Sequence, residues 1–240
     1  MSDFSTLLLA EWRKTVATRA NRWLLAGSAA LTAGAVAIPA VFPHAVEQTR
    51  AGYLTYSGLG LTRLLPMVMI LTMTAEWTRR TGLITFTQQV RRSRVLAAKV
   101  VVGVLLSLAA ATVGFVAATA AMLVADAGGR QISYAWDWPQ VIGFVVFVVL
   151  IGLVGSAFGA LLHHTAAAIV AFFALGALMN LFSIGSLKSV GEWINTGQTY
   201  GWVLSGEWNG HVPQIISVTA IWIVVPLAYG LTLGARRDIR

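Results

Sequence analysis

Few residues in this chain are equipped for chemistry. It has three lysines, four histidines, nine acids and no cysteine. The missing thiol removes disulfides, thiol catalysis and Cys-ligated metal. A phosphate-cradling loop needs Gly-Lys-Ser/Thr. Lys14, Lys99 and Lys188 do not follow glycine, so the chain has no nucleotide site of that kind. His44, His163, His164 and His211 fall on both sides of any membrane arrangement. As helical neighbours, His163 and His164 would diverge by about 100°, which is poor geometry for one metal. Gly155-Ser156 faintly resembles an intramembrane serine protease, but no other span supplies a histidine base. Ion-coupled carriers place acids inside spans, and here none of the nine acids falls mid-span. No metal site, cofactor site or catalytic residue is expected, and the chain is not read as an enzyme.

Composition determines what must position these residues. Charged residues make up 11% and hydrophobic residues 57% of the 240. Soluble chains carry about 25% charge, so too few charges exist here to cover a water-facing surface. The expected class is all-α integral membrane, a single transmembrane domain over residues 1–240. Six stretches reach the ~20 apolar residues a crossing needs: Trp23–Phe42, Gly58–Trp77, Val95–Val124, Pro139–Leu162, Thr165–Ile184 and Ile215–Leu233. The third is long enough to tilt or project beyond the lipid.

The net charge of +8 follows this plan. The N-terminal tail, the segment after span two and the C-terminal tail hold 13 of the 17 basic residues. Only Arg50, Arg63, Arg130 and Lys188 lie on the other side, with five acids. The positive-inside rule then predicts both termini in the cytoplasm. The charge is topological, and nucleic-acid binding is not expected. Span one is read as an uncleaved insertion signal.

Three segments outside the spans carry further information. In Ser2–Arg22, Phe4, Leu8, Trp12 and Val16 recur every four residues, beside Arg13 and Lys14. That pattern predicts an amphipathic helix in the headgroup plane. In Thr78–Ala97 an apolar patch, Leu83-Ile84-Thr85-Phe86, sits between Arg79-Arg80 and Arg91-Arg92-Ser93-Arg94. An apolar patch rimmed by charge is a docking surface. Gly185–Pro213 holds Trp193, Tyr200, Trp202 and Trp208, which predicts one or two short helices on or dipping into the outer leaflet. Arg63 lies thirteen residues before Glu76, about 20 Å along a helix. It is expected near the outer boundary, snorkelling, pairing with Glu47 or lining a vestibule. Gly155-x-x-x-Gly159 and Gly230-x-x-x-Gly234 permit close helix contact.

Several runs resemble a known family. Glu76-Trp77-Thr78-Arg79-Arg80-Thr81-Gly82-Leu83-Ile84 resembles the E-aromatic-x-x-G-t-l signature of ABC transporter permeases of the type-2 exporter class. Arg91-Arg92-Ser93-Arg94-Val95-Leu96-Ala97-Ala98-Lys99 is similar to that family's R-x-R-v-l-x-A-K run, and Leu8–Lys14 to its connecting helix. Leu161–Ala168 is similar to a turn common in small bacterial members, with His163 where arginine is common.

The resemblance implies a permease subunit in a bacterial plasma membrane, with an interfacial connecting helix (Phe4, Leu8, Trp12, Arg13, Lys14) and short external helices between spans five and six. Two permease chains, preferentially identical, would form the pathway above two separate ATPase subunits that carry ATP and Mg. Glu76, Arg79, Arg80, Gly82, Leu83, Phe86, Arg91, Arg92, Arg94, His163 and His164 would form the ATPase-coupling face. Arg63, Trp193 and Trp202 are candidates for an outer gate or vestibule. Scarce mid-span charge favours an apolar or amphipathic cargo: a drug, lipid or hydrophobic peptide. The rival readings are an ABC-like sensor or regulatory module and an ATP-independent channel or carrier.

Overall fold

The computed structural model describes residues 4–44, 46–78 and 92–236. The expected docking segment, with Arg79, Arg80, Gly82, Leu83, Phe86 and Arg91, therefore lies outside the described residues.

The described chain is helical throughout. α1 is Phe4–Ala17 and α2 is Arg19–Val41, separated by Thr18 alone. α3 is Arg50–Thr78 and α4 is Arg92–Ala127. α5 is Trp138–Leu162 and α6 is Thr165–Met179, extended by 3-10 turns at Asn180–Ser183 and Gly185–Leu187. Two short helices follow, α7 at Lys188–Ile194 and α8 at Thr196–Ser205. α9, Val212–Thr219, runs through a π-helical turn at Ala220–Val224 into α10, Val225–Arg236. Pro226 has no N–H to offer the Trp222 carbonyl, and the wider turn absorbs that gap.

Six helices are long and apolar enough to cross a membrane: Arg19–Val41, Arg50–Ala75, Arg94–Ala127, Trp138–Leu162, Thr165–Ser183 and Val212–Thr232. Five of them match the spans expected from sequence to within a few residues. The exception is α3, which starts eight residues before Gly58. Its first turns are polar (Thr55, Tyr56, Ser57), yet Tyr53, Leu54 and Ser57 are buried. Packing extends this helix where hydropathy alone stops it. α4 runs 36 residues, about 54 Å at 1.5 Å per residue, so it outreaches a ~30 Å hydrocarbon layer.

α3 and α5 form the centre, with 61% and 56% of their apolar windows buried inside the chain. The same share is 6% for the α6 span, so α6 stands almost wholly open. Small residues let the two central helices close on each other. A Cβ on Gly155 would lie 2.5 Å from the Pro66 carbonyl, and one on Gly159 would lie 2.7 Å from the Met73 Cβ. Gly230 presses in the same way on the Ala160 backbone. Gly155 and Gly159 of one foreseen pair, and Gly230 of the other, thus contribute contacts inside the chain.

Candidate functional site

The end of the bundle where α1, the close of α3 and the start of α4 meet is held by an ion pair. Lys99 Nζ donates to Glu11 Oε2 at 2.7 Å and to the Thr72 carbonyl at 3.3 Å. Glu11 is 1% exposed and Lys99 3%. Lys14 donates to the other Glu11 oxygen at 2.7 Å from the surface. Burial raises the Glu11 carboxyl pKa; Lys99 and Lys14 outweigh it and hold the group below the usual carboxylate value. Around this centre Thr15 donates to the Glu11 carbonyl at 2.9 Å, and Asn21 Nδ2 to the Thr15 carbonyl at 2.9 Å. The corner between α1 and α2 is therefore fixed from both sides.

The face of α1 that packs on the bundle is not its apolar repeat. Leu7, Glu11 and Thr15 are the buried positions. Phe4 and Val16 are exposed, and Leu8 and Trp12 half-buried. The buried stripe is rotated by one residue, about 100°, from the Phe4–Leu8–Trp12–Val16 face. The reason is electrostatic: turning Glu11 inward to meet Lys99 carries its i±4 neighbours with it. Leu8 and Trp12, with Ser5, Thr6, Leu9 and Leu105 of α4, instead line an open groove of about 440 Å³. Arg13 is exposed.

The two expected coupling histidines lie in the connection between α5 and α6 at this same end. His163 adopts a left-handed conformation (φ 52°) and donates its backbone N–H to the Gly159 carbonyl at 3.2 Å. His164 caps α6, its Nδ1 accepting from the Ala167 N–H at 3.2 Å. The Thr165 hydroxyl meets the Thr74 hydroxyl at 2.6 Å, which ties the connection to α3. The pair is thus a tight reverse turn, not the helical neighbours that sequence suggested. Arg94 is exposed near the start of α4, Arg92 opens that helix, and Glu76 falls in the last turn of α3.

At the opposite end Arg50 is enclosed by aromatic rings. Its guanidinium carbon sits 4.1 Å from the Trp136 ring centre and 6.0 Å from Phe115, and Nη2 donates to the Tyr134 carbonyl at 3.3 Å. Trp136 in turn stacks on Trp138 at 5.3 Å. Nearby, buried Asn195 staples the short helices to the end of α6. Its Nδ2 donates to the Met179 carbonyl and the Ser183 hydroxyl, both at 2.9 Å, and its Oδ1 accepts from the Gly197 N–H at 2.8 Å. α8 then sinks into the bundle, with Tyr200, Val203 and Leu204 buried and the Val203 carbonyl against Gly143. Burial pushes the Tyr200 phenol up to about 12, against a smaller opposing effect of Thr219.

The expected gate residues do not gather. Trp202 stacks on His211 at 3.7 Å, and Trp193 is an exposed residue of α7. Arg63 is elsewhere, within α3. Because α3 begins at Arg50, Arg63 lies thirteen residues, about 20 Å, from that end. It lies nine residues, about 13 Å, from Thr72 at the ion-paired end. That is the middle of the span. Arg63 is exposed and, among the described residues, makes no hydrogen bond or ion pair; Glu47 does not reach it. Among the described residues no three His, Asp or Glu side chains gather as a metal site.

No protein-family model matches the chain, and no curated protein matches its sequence.

Sequence reasoning named Lys99 only as part of a run and treated Glu11 as a surface residue. Two signals pointed to the pair. Glu11 is the one acid within the apolar repeat Phe4–Val16 of a basic tail, and Lys99 is a lone lysine inside the third apolar stretch.

Proposed function

We propose that this chain is the permease subunit of an ATP-driven exporter, working with a second permease chain and with separate ATPase subunits. The reading places both termini in the cytoplasm of a bacterial cell and α1 in the headgroup plane. The observation that carries it is the Glu11–Lys99–Thr72 lock. It joins α1 to the end of α3 and the start of α4, the two helices that flank the basic-rimmed apolar segment. A segment that received force from an ATPase would need rigid supports on both flanks, and the lock supplies them together with the His163–His164 turn. α6, with 6% of its apolar window buried, is the face left open for a second permease chain. Binding of ATP to the partner would favour one of two permease arrangements over the other, which is the thermodynamic requirement for driven transport.

The test is native mass spectrometry of the tagged protein, gently extracted from its host's membranes. Two copies of this chain with two copies of a Gly-Lys-Ser/Thr-containing subunit are expected. Phe86→Asp, which sets a charge in the apolar patch, is expected to abolish ATPase co-purification while leaving the permease dimer intact. An oligomer that never carries an ATPase, with Phe86→Asp indistinguishable from the parent, overturns the reading in favour of an ATP-independent carrier.

A further inference from the structure

The groove between α1 and α4 encloses about 440 Å³, within the roughly 300–1,000 Å³ of ligand clefts. Leu8, Leu9 and Trp12 of α1 and Leu105 of α4 supply its apolar lining, and Ser5 and Thr6 add two hydroxyl groups. Leu9 is 49% exposed and Leu105 40%. The groove exists because a charge sets the rotation of α1. Glu11 turns inward to Lys99, which leaves the neighbouring apolar stripe off the contact and along the opening. Arg13 follows Leu9 by four residues, so it continues the same edge one turn further on.

We propose that this groove holds one hydrocarbon chain of an anionic phospholipid, with the lipid phosphate on Arg13. The inference does not rest on the permease reading. Charge is the first reason. Residues 4–22 carry Arg13, Lys14, Arg19 and Arg22 against a single acid, Glu11. That acid is buried and taken by Lys14 and Lys99. Arg22 donates to the Ala17 carbonyl at 2.8 Å. Arg13 and Arg19 are exposed and, among the described residues, make no hydrogen bond or ion pair. A guanidinium fork matches phosphate oxygens in a bidentate way, and a basic cluster of this kind attracts anionic lipid. The lining is the second reason. A bound peptide needs partners for its N–H and C=O groups. Two hydroxyls and the Trp12 indole N–H are too few for that, whereas a hydrocarbon chain requires none. Six helices apolar enough to cross a membrane make lipid the natural surroundings of the chain.

The test uses the purified full-length protein in detergent, titrated with palmitoyl-oleoyl phosphatidylglycerol and with palmitoyl-oleoyl phosphatidylcholine and read by native mass spectrometry. The chains are identical, and only the second head carries an ammonium that competes with Arg13 for the phosphate. The parent protein is expected to bind the anionic lipid about tenfold more tightly, the ratio one charge-assisted contact supplies. Arg13→Gln should bring the two lipids within about twofold, and Arg13→Lys should keep part of the preference. Leu9→Ser and Leu105→Ser should weaken both lipids by about fivefold and leave their ratio unchanged, because they act on the chain and not on the head. Leu123→Ser, at an equally exposed leucine of α4, should change neither. A parent protein that does not distinguish the heads overturns the proposal. A preference that survives Arg13→Gln also overturns it and assigns the effect to other basic residues. So do groove variants indistinguishable from Leu123→Ser. A parent that binds neither lipid, yet forms a dimer that Leu9→Ser disrupts, makes the groove a contact between copies and ends the lipid assignment.

Discussion

Lys99 and Arg63 are both cations on apolar helices, and the fold treats them oppositely. Lys99 is enclosed, with a carboxylate at 2.7 Å and a backbone carbonyl behind it. Arg63 stands on an open face without a partner among the described residues. A charge satisfied within its own chain holds structure together. A charge left open at mid-span is a cost unless something from outside the chain meets it. The first belongs to the scaffold; the second is open to whatever lies outside the chain.

The largest effect that would sharpen this contrast comes from removing one half of the enclosed pair. Lys99→Met leaves the buried Glu11 carboxylate with only the surface Lys14, and Glu11→Gln deprives the buried ammonium of this counter-charge. Each is expected to cost about 3–5 kcal/mol of unfolding free energy. Denaturant titration in mixed micelles measures it. The double variant Glu11→Leu/Lys99→Met should recover most of the loss, because an apolar pair of similar size needs no desolvation. A double variant as unstable as either single one would show that the pair is not acting as a unit.

A smaller effect should appear with pH. The Glu11 carboxyl is held below its usual value in the folded chain, so it binds its proton less readily there than when unfolded. Its contribution is full above the ordinary carboxylate value, about 4.3, and is lost as pH falls through the lowered one. Thermal midpoints should drop across that acid window in the parent protein, and the part due to this residue should vanish in Glu11→Gln. An identical slope in both would assign acid sensitivity to other groups.

The smallest effect is expected at Arg63. Arg63→Leu breaks no bond within the described chain, so the unfolding free energy of the isolated protein should move by no more than about 0.5 kcal/mol. A loss of several kcal/mol would place Arg63 with Lys99 as a structural charge and end the comparison.

The spans were legible because lipid imposes a length, and residues such as Val141–Leu162 meet it without a charge. What hydropathy did not reveal was which spans are central. α5 and α6 are similarly apolar, yet one is over half buried and the other almost wholly open. In a membrane both core and lipid select apolar side chains, so composition carries no contrast between them. The start of α3 was misread for a related reason. Thr55, Tyr56 and Ser57 lowered the hydropathy of a segment whose helix is secured by tertiary packing. The Glu11–Lys99 pair was hidden by the 88 residues between its members, since no local period links them. The packed face of α1 follows that pair, while its four-residue apolar repeat stays on the open side.

The same separation has a consequence during synthesis. At about 5–20 residues per second, Lys99 follows Glu11 out of the ribosome by roughly 4–18 s. Through that interval the first two apolar helices must enter the bilayer while α1 has no lock to hold it. The helix that leads the chain in order of birth is thus secured only when the third span arrives, and the corner between α1 and α2 is among the later parts of the molecule to mature.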